Sequence, residues 1–166
     1  MRALSGANVM VALHDPLNCH HQAALEWLDT HRSHGWASCP ITQNGCARVM
    51  SQPSYSSLRL MTELWPVLTA SLSSPFQVFW PDDVSLFDAG RLKAAHVHGH
   101  RQLTDLYLLA LAVQHGGRFV SFDARVPLSA VPGAKPNTCS CCSRVLRPRQ
   151  MAWGRLRYRE GQTCGH

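Results

Sequence analysis

The stretch Gln102-Leu103-Thr104-Asp105-Leu106-Tyr107-Leu108-Leu109-Ala110-Leu111-Ala112-Val113-Gln114-His115-Gly116-Gly117-Arg118-Phe119-Val120-Ser121-Phe122-Asp123 decides the fold. Thr104 is placed to cap a helix starting near Asp105. Leu106, Leu109, Ala110 and Val113 recur at helical spacing. Tyr107, Leu108, Leu111 and Ala112 fill most of the remaining circumference, so the helix is expected to be buried on nearly every side. Gly116-Gly117 supplies the left-handed residue at which such helices stop. Arg118 to Ser121 then reads as a short strand that Asp123 closes. The unit sets one carboxylate at a helix start and another at a strand end, and in open α/β sheets that edge is where ligands bind.

The rest of the chain repeats the pattern. Arg2 to Leu4 suggests a first strand, Asn8 to Leu13 an apolar turn or short helix, and His20 to His31 an amphipathic helix. Gly35 to Ser38 reads as a second strand, followed by a helix from Thr42 to about Met50. Leu58 to Leu72 is helical in pattern, with Pro66 expected to kink or split it. Phe76 to Trp80 reads as a buried strand. Pro81-Asp82-Asp83 is expected to open another helix, with Leu86, Phe87 and Leu92 inward. Val126 to Leu128 is a candidate last edge strand. Alternating strands and helices predict a three-layer α/β/α sandwich around a mainly parallel sheet.

The 166 residues suffice for one domain with a real core, and the apolar share of 45% is that of an ordinary globular protein. The net charge of +6 is confined to one end. Residues 1–134 carry nine Lys/Arg and nine Asp/Glu, whereas 135–166 carry Lys135 and six arginines against Glu160 alone. The basic balance therefore says little about what the body binds. We expect residues 1–134 to form the domain and 135–166 a poorly ordered Cys/Arg-rich extension. Seven cysteines, an odd number scattered through expected core elements, favour a reducing, cytoplasmic setting over a disulfide framework. In the extension, Cys139, Cys141 and Cys142 are too tightly spaced for a structural zinc site. No stretch is long enough to cross a membrane.

Five pieces, in consistent order over the first 134 residues, resemble the VapC-type toxins of the PIN-domain nuclease family. They are Ala7-Asn8-Val9, Pro40-Ile41-Thr42-Gln43-Asn44-Gly45 with Arg48-Val49, Phe79-Trp80-Pro81-Asp82-Asp83, Arg101 through Asp105 to Asp123, and Pro127 to Gly133. The resemblance implies an endoribonuclease that holds Mg²⁺ or Mn²⁺ on carboxylates at the carboxyl edge of its sheet. It also implies an RNA substrate, a small VapB-like antitoxin partner and a homodimer or antitoxin assembly. Magnesium requires hard oxygen donors, and the bound ion makes a nucleophile available at neutral pH.

Carried over position by position, Asp105 fits the helix-start acid and Asp123 the strand-end acid. The family's first acid, two residues before the motif asparagine, is replaced here by Gly6, and the early glutamate falls at Asn44-Gly45. One lost charge-assisted contact corresponds to about ten- to hundredfold in cation binding. A catalytically inactive protein that still binds antitoxin or RNA is therefore the alternative reading. Each supporting residue has a structural reading too. Asp105 suits a helix N-terminus without any metal, and Asp123 suits a turn. Asp82 and Asp83 are either helix-start residues or further site acids. Asn8 either bonds the site carboxylates or fixes the first turn, and Thr104 is a cap or a neighbour of phosphate. Arg48 and Arg101 are candidate RNA-phosphate contacts.

Overall fold

The computed structural model describes residues 1–141. Five short strands, β1 (Ala3–Ser5), β2 (Trp36–Ser38), β3 (Gln77–Phe79), β4 (Arg118–Ser121) and β5 (Cys139–Cys141), form one sheet in the order β3-β2-β1-β4-β5. Every pairing is parallel, with Leu4 opposite Ala37 on one side and Phe119 on the other. The helices are α1 (Ala7–His14), α2 (His21–His31), α3 (Pro40–Ser51), α4 (Met61–Leu72) and α5 (Leu103–Gln114). No helix of the described residues is long and apolar enough to cross a membrane.

The pleat sorts the core. Leu4, Ala37 and Phe119 face α5, whose Leu106, Leu108, Leu109, Ala110, Leu111 and Ala112 are all buried, as the apolar circumference of this helix predicts. Ala3 and Val120 face the other way, onto Val9 of α1 and Trp27 of α2. Met10, Cys46, Met50 and Leu64 join α1, α3 and α4 in a third cluster. Burial pushes the Cys46 thiol up to about 12, so it behaves as a packing group. The chain leaves β1 toward β2 and leaves β4 toward β5, in opposite directions, which puts the topological switch point between β1 and β4.

The two glycines after α5 do different work. Gly116 takes a φ of 61°, and its N–H donates to the Val113 carbonyl while that of Gly117 reaches Ala112, a Schellman stop. Gly117 is required for space. A Cβ there would overlap the Trp80 ring and approach the Arg2 carbonyl oxygen to 2.8 Å.

Several expectations are corrected. Thr104 does not cap α5: the single 3₁₀ turn His100–Gln102 runs directly into the helix, and the His100 carbonyl accepts the Leu103 N–H. Thr42 is not a first residue either. It sits one turn into α3, where its hydroxyl accepts the Cys39 N–H at 3.0 Å and donates to the Cys39 carbonyl at 3.1 Å. Pro66 leaves α4 in one piece, because it lies on the exposed side where the freed carbonyl meets water. β3 is a half-covered edge strand with Phe79 exposed.

No helix follows Pro81. Ser85 accepts the Phe87 N–H and Gly90 adopts a φ of 78°, so the segment breaks into turns. Phe87 is 99% exposed there, while Leu86 and Leu92 still pack inward. Val126 to Leu128 is not a strand. Pro127 lacks the N–H a ladder needs, and the edge place beside β4 goes to Cys139–Cys141. The sheet thus takes three residues from the segment assigned above to the extension. The remainder, 142–166, and with it Cys142, lies outside the described residues.

Substituting Gly117→Ala should force apart the Trp80 ring and β1, at an overpacking cost of about 1–3 kcal/mol. The measurement is the urea midpoint, which should fall with the slope unchanged; an unaltered midpoint would contradict the close approach.

Candidate active site

Three helices begin at the carboxyl edge, α1 at Ala7, α3 at Pro40 and α5 at Leu103. Between their first turns lies a cavity of about 690 Å³ whose lining includes Gly6, Asn8, Asn44, Arg48, Thr104 and Asp105. The partial positive charge of helix N-termini makes such a convergence favourable for anions. Asp105 is the acid that faces it, half-buried in the first turn of α5. Asp123, just beyond β4, lines an adjoining cavity of about 920 Å³. Asn8 and Val49 line both, so the two hollows abut beside the carboxylates.

The two acids feel each other. Burial, and after it the negative charge of Asp123, hold the Asp105 carboxyl above the usual carboxylate range. Asp123 is stabilised by direct partners. The Arg125 guanidinium forks onto it, Nε to Oδ1 at 3.1 Å and Nη2 to Oδ2 at 3.2 Å, and the Arg125 main-chain N–H donates to Oδ1 at 2.8 Å. Ser121 Oγ accepts both the Asp123 N–H at 3.1 Å and Asn8 Nδ2 at 3.0 Å, linking α1 to the end of β4.

Gly6 closes β1 and precedes α1, with its N–H on the Val120 carbonyl at 2.8 Å. A Cβ at this position would stand 3.0 Å from Asn8 Oδ1, 3.1 Å from the Val120 carbonyl oxygen and 3.3 Å from Phe119 Cε2. The surroundings have closed onto the glycine. Among the described residues no group of three or more His, Cys, Asp or Glu is placed to hold a metal ion. What converges is two carboxylates with the carboxamides of Asn8 and Asn44 and the Thr104 hydroxyl. All can offer oxygen, a donor set that suits a hard cation keeping several waters.

The fold therefore gathers Asp105, Asn8, Asn44, Thr104 and Arg48 at one cavity and Asp123 beside it. It does not gather Asp83, which bonds His115 Nε2 at 3.1 Å beyond the far end of α5. Twelve residues of helix are about 18 Å long, so Asp83 is remote from Asp105. Asp82 lies near Tyr107 and Cys39, whose ionisation burial and then, among smaller influences, its charge oppose. It does not line the cavity. Nor do the two start a helix, since none follows Pro81. Arg101 is exposed on the 3₁₀ turn and is likewise absent from the lining. Sequence reasoning overlooked Ser121 and Arg125. The Asp-x-Arg spacing, suited to an Asx turn, was the available signal.

Because the folded Asp105 pKa is raised above the unfolded value, the native state binds more protons and stability falls as pH rises through the interval. Without divalent ions, Asp105→Asn should melt higher than the native chain at neutral pH, and the gap should narrow toward about pH 4. Adding Mg²⁺ should raise the melting temperature of the native chain and leave that of Asp105→Asn unmoved. Melting curves that coincide at every pH would refute the assignment.

The PIN domain family model matches residues 7–133, most of the chain, so Gly6 stands just outside the match. Ribonuclease VapC44 of Mycobacterium tuberculosis is 44% identical over 134 residues, covering 81% of this chain and 94% of that protein. Ribonuclease VapC39 of the same organism is 39% identical over 134 residues, with 80% and 96% covered. Ribonuclease VapC38 is 37% identical over 125 residues, with 75% and 86% covered. The geometry of the sheet edge and these relationships agree: the chain belongs to the PIN-domain family, in its VapC-type branch.

Proposed function

We propose that this chain is a divalent-metal-dependent endoribonuclease toxin of the VapBC type, attenuated by Gly6. The observation that carries the reading is the placing of Asp105 and Asp123 in adjoining cavities at the switch-point edge. Those two carboxylates would hold Mg²⁺ or Mn²⁺, with Asn8, Asn44 and Thr104 as neutral oxygen donors nearby. The cation, when bound, supplies a nucleophile at neutral pH and offsets charge building on the phosphate. The protein's own share is binding and orientation. The first-turn amides of α1 and α3 favour the phosphate, and Arg48 on the cavity rim adds a cationic contact. The relatives' names, Ribonuclease VapC44 and VapC39, support RNA as the substrate.

The reading includes a small VapB-like antitoxin, a homodimer or toxin–antitoxin assembly, and a cytoplasmic setting. Support for a protein partner comes from a groove of about 550 Å³ between α3 and α4, lined by Arg48, Met61, Trp65 and Leu68. Trp65 is 68% exposed, an apolar surface that a partner's apolar side chains would cover. The extension beyond the domain adds arginines that suit RNA phosphates.

One observation favours the alternative, a PIN-fold protein that binds antitoxin or RNA without cutting. Position 6 supplies no carboxylate, and a Cβ there would stand 3.0 Å from Asn8 Oδ1, close enough that the amide must give a little to admit one. Cleavage of a single-stranded RNA by the native chain, Gly6→Asp and Asp105→Ala, each with Mg²⁺ or Mn²⁺, separates the two. The native chain should cut slowly, Asp105→Ala should lose at least tenfold, and Gly6→Asp should gain if Asn8 can yield. No cleavage by the native chain, with cleavage by Gly6→Asp, establishes the inactive reading; full activity in Asp105→Ala removes the site assignment.

A further inference from the structure

The proposed chemistry seats a phosphate but leaves unexplained how the neighbouring nucleotide is held. The second cavity offers an answer. It adjoins the first at Asn8 and Val49, and its lining adds Asn18, His20, Tyr55 and Phe122 to Asp123 and Arg125. Its volume of about 920 Å³ is ample for one nucleotide, within the range of small-ligand sites. His20 and Phe122 lie ring on ring, with centroids 4.2 Å apart and planes 16° from parallel. Phe122 is the residue directly before Asp123, so the rings are tied to the carboxylate by one peptide bond.

The ring pair rests on a built support. Asp15 is 2% exposed, and its carboxylate accepts the Tyr55 hydroxyl at 2.6 Å and the Leu17 N–H at 3.0 Å. Burial opposes its ionisation, but these hydrogen bonds, with Ser57 and the charge of Arg59, outweigh it and hold the carboxyl below its ordinary value. Asn18 Oδ1 then accepts the His20 N–H at 2.9 Å, and Asn18 Nδ2 reaches the Tyr55 hydroxyl at 3.4 Å. Asp15, Asn18 and Tyr55 thus fix the loop that carries His20. Asn18 lines the cavity, and its amide carries a second N–H besides the one that reaches Tyr55.

We propose that His20 and Phe122 form the stacking platform for the nucleobase flanking the phosphate at Asp105 and Asp123, with Asn18 as a hydrogen-bond donor to its edge. Planar rings next to a phosphate-binding edge are the arrangement by which single-stranded nucleic acid is held without base pairing. His20 and Phe122 are positioning residues in this scheme, and neither is asked to transfer a proton. The inference rests on the RNA reading above.

The test measures binding with Ca²⁺ in place of Mg²⁺, so that the proposed cation site is filled while cleavage is suppressed. The full chain is titrated with a labelled single-stranded RNA pentamer and with versions carrying an abasic ribose at each position in turn. Removing one particular base should weaken binding by roughly five- to hundredfold. In Phe122→Leu and in His20→Leu, which keep the apolar volume and lose the ring, that base should no longer matter. His20→Tyr, which restores a ring, should recover much of the dependence. If the chain binds the RNA and no abasic position stands out, or if the leucine variants weaken all probes alike, the platform is refuted while the nuclease reading stands. If the chain binds no RNA at all, both fall.

Discussion

Every strand of this sheet runs the same way, and the rest of the architecture follows from that. Parallel neighbours cannot be joined by tight turns, so each strand hands over to a segment that covers a face and returns to the starting edge. All five strand ends consequently share one edge, and three helices begin there. Gly6, Cys39, Trp80 and Phe122 are unlike one another in chemistry, but each is the first residue past a strand. Asp105 reaches the same edge from a helix start and Asp123 from a strand end. Their proximity is thus a property of the topology, achieved by residues that are distant from β1 in sequence.

The edge is also where the protein carries an electrostatic imbalance. Asp123 is matched by the Arg125 fork, whereas Asp105 has no cationic partner among the described residues. A third carboxylate at position 6 would deepen that imbalance and strengthen the hold on a cation; glycine relieves the one and weakens the other. Stability and function pull in opposite directions at such sites. The tight contacts around Gly6 mean that the relief is built into the packing of β1, β4 and α1 as well as into the charge.

Much of this was legible in the sequence where one local signal acted alone. The all-round apolar circumference of Leu106 to Ala112 and the Gly116-Gly117 stop gave α5 and β4 directly, and with them both carboxylates. The misreadings come from places where two signals competed. Thr104 has the chemistry of a cap, but a 3₁₀ turn runs straight into the helix, and its His100 carbonyl takes the Leu103 N–H. Leu86, Phe87 and Leu92 have an inward look, but Ser85 and Gly90 set turns that send Phe87 into solvent. Cys139–Cys141 looks like part of a polar tail, and only its pairing with β4 makes it a strand. Parallel pairing leaves no mark in local sequence. For the same reason the meeting of His20 with Phe122, a hundred residues on, was beyond any periodicity.

Asn8 binds these observations together in a further way. Its Nδ2 is committed to Ser121 Oγ, and that bond turns its Oδ1 toward the backbone of Gly6. The space at position 6 therefore depends on Asn8, held by Ser121, as well as on the Val120 carbonyl and the Phe119 ring. A single exchange at position 6 restores the missing carboxylate and asks Asn8 Oδ1, together with the Val120 carbonyl and the Phe119 ring, to give slightly around it. The local packing at the head of α1 is thus coupled to the end of β4 through one side-chain amide.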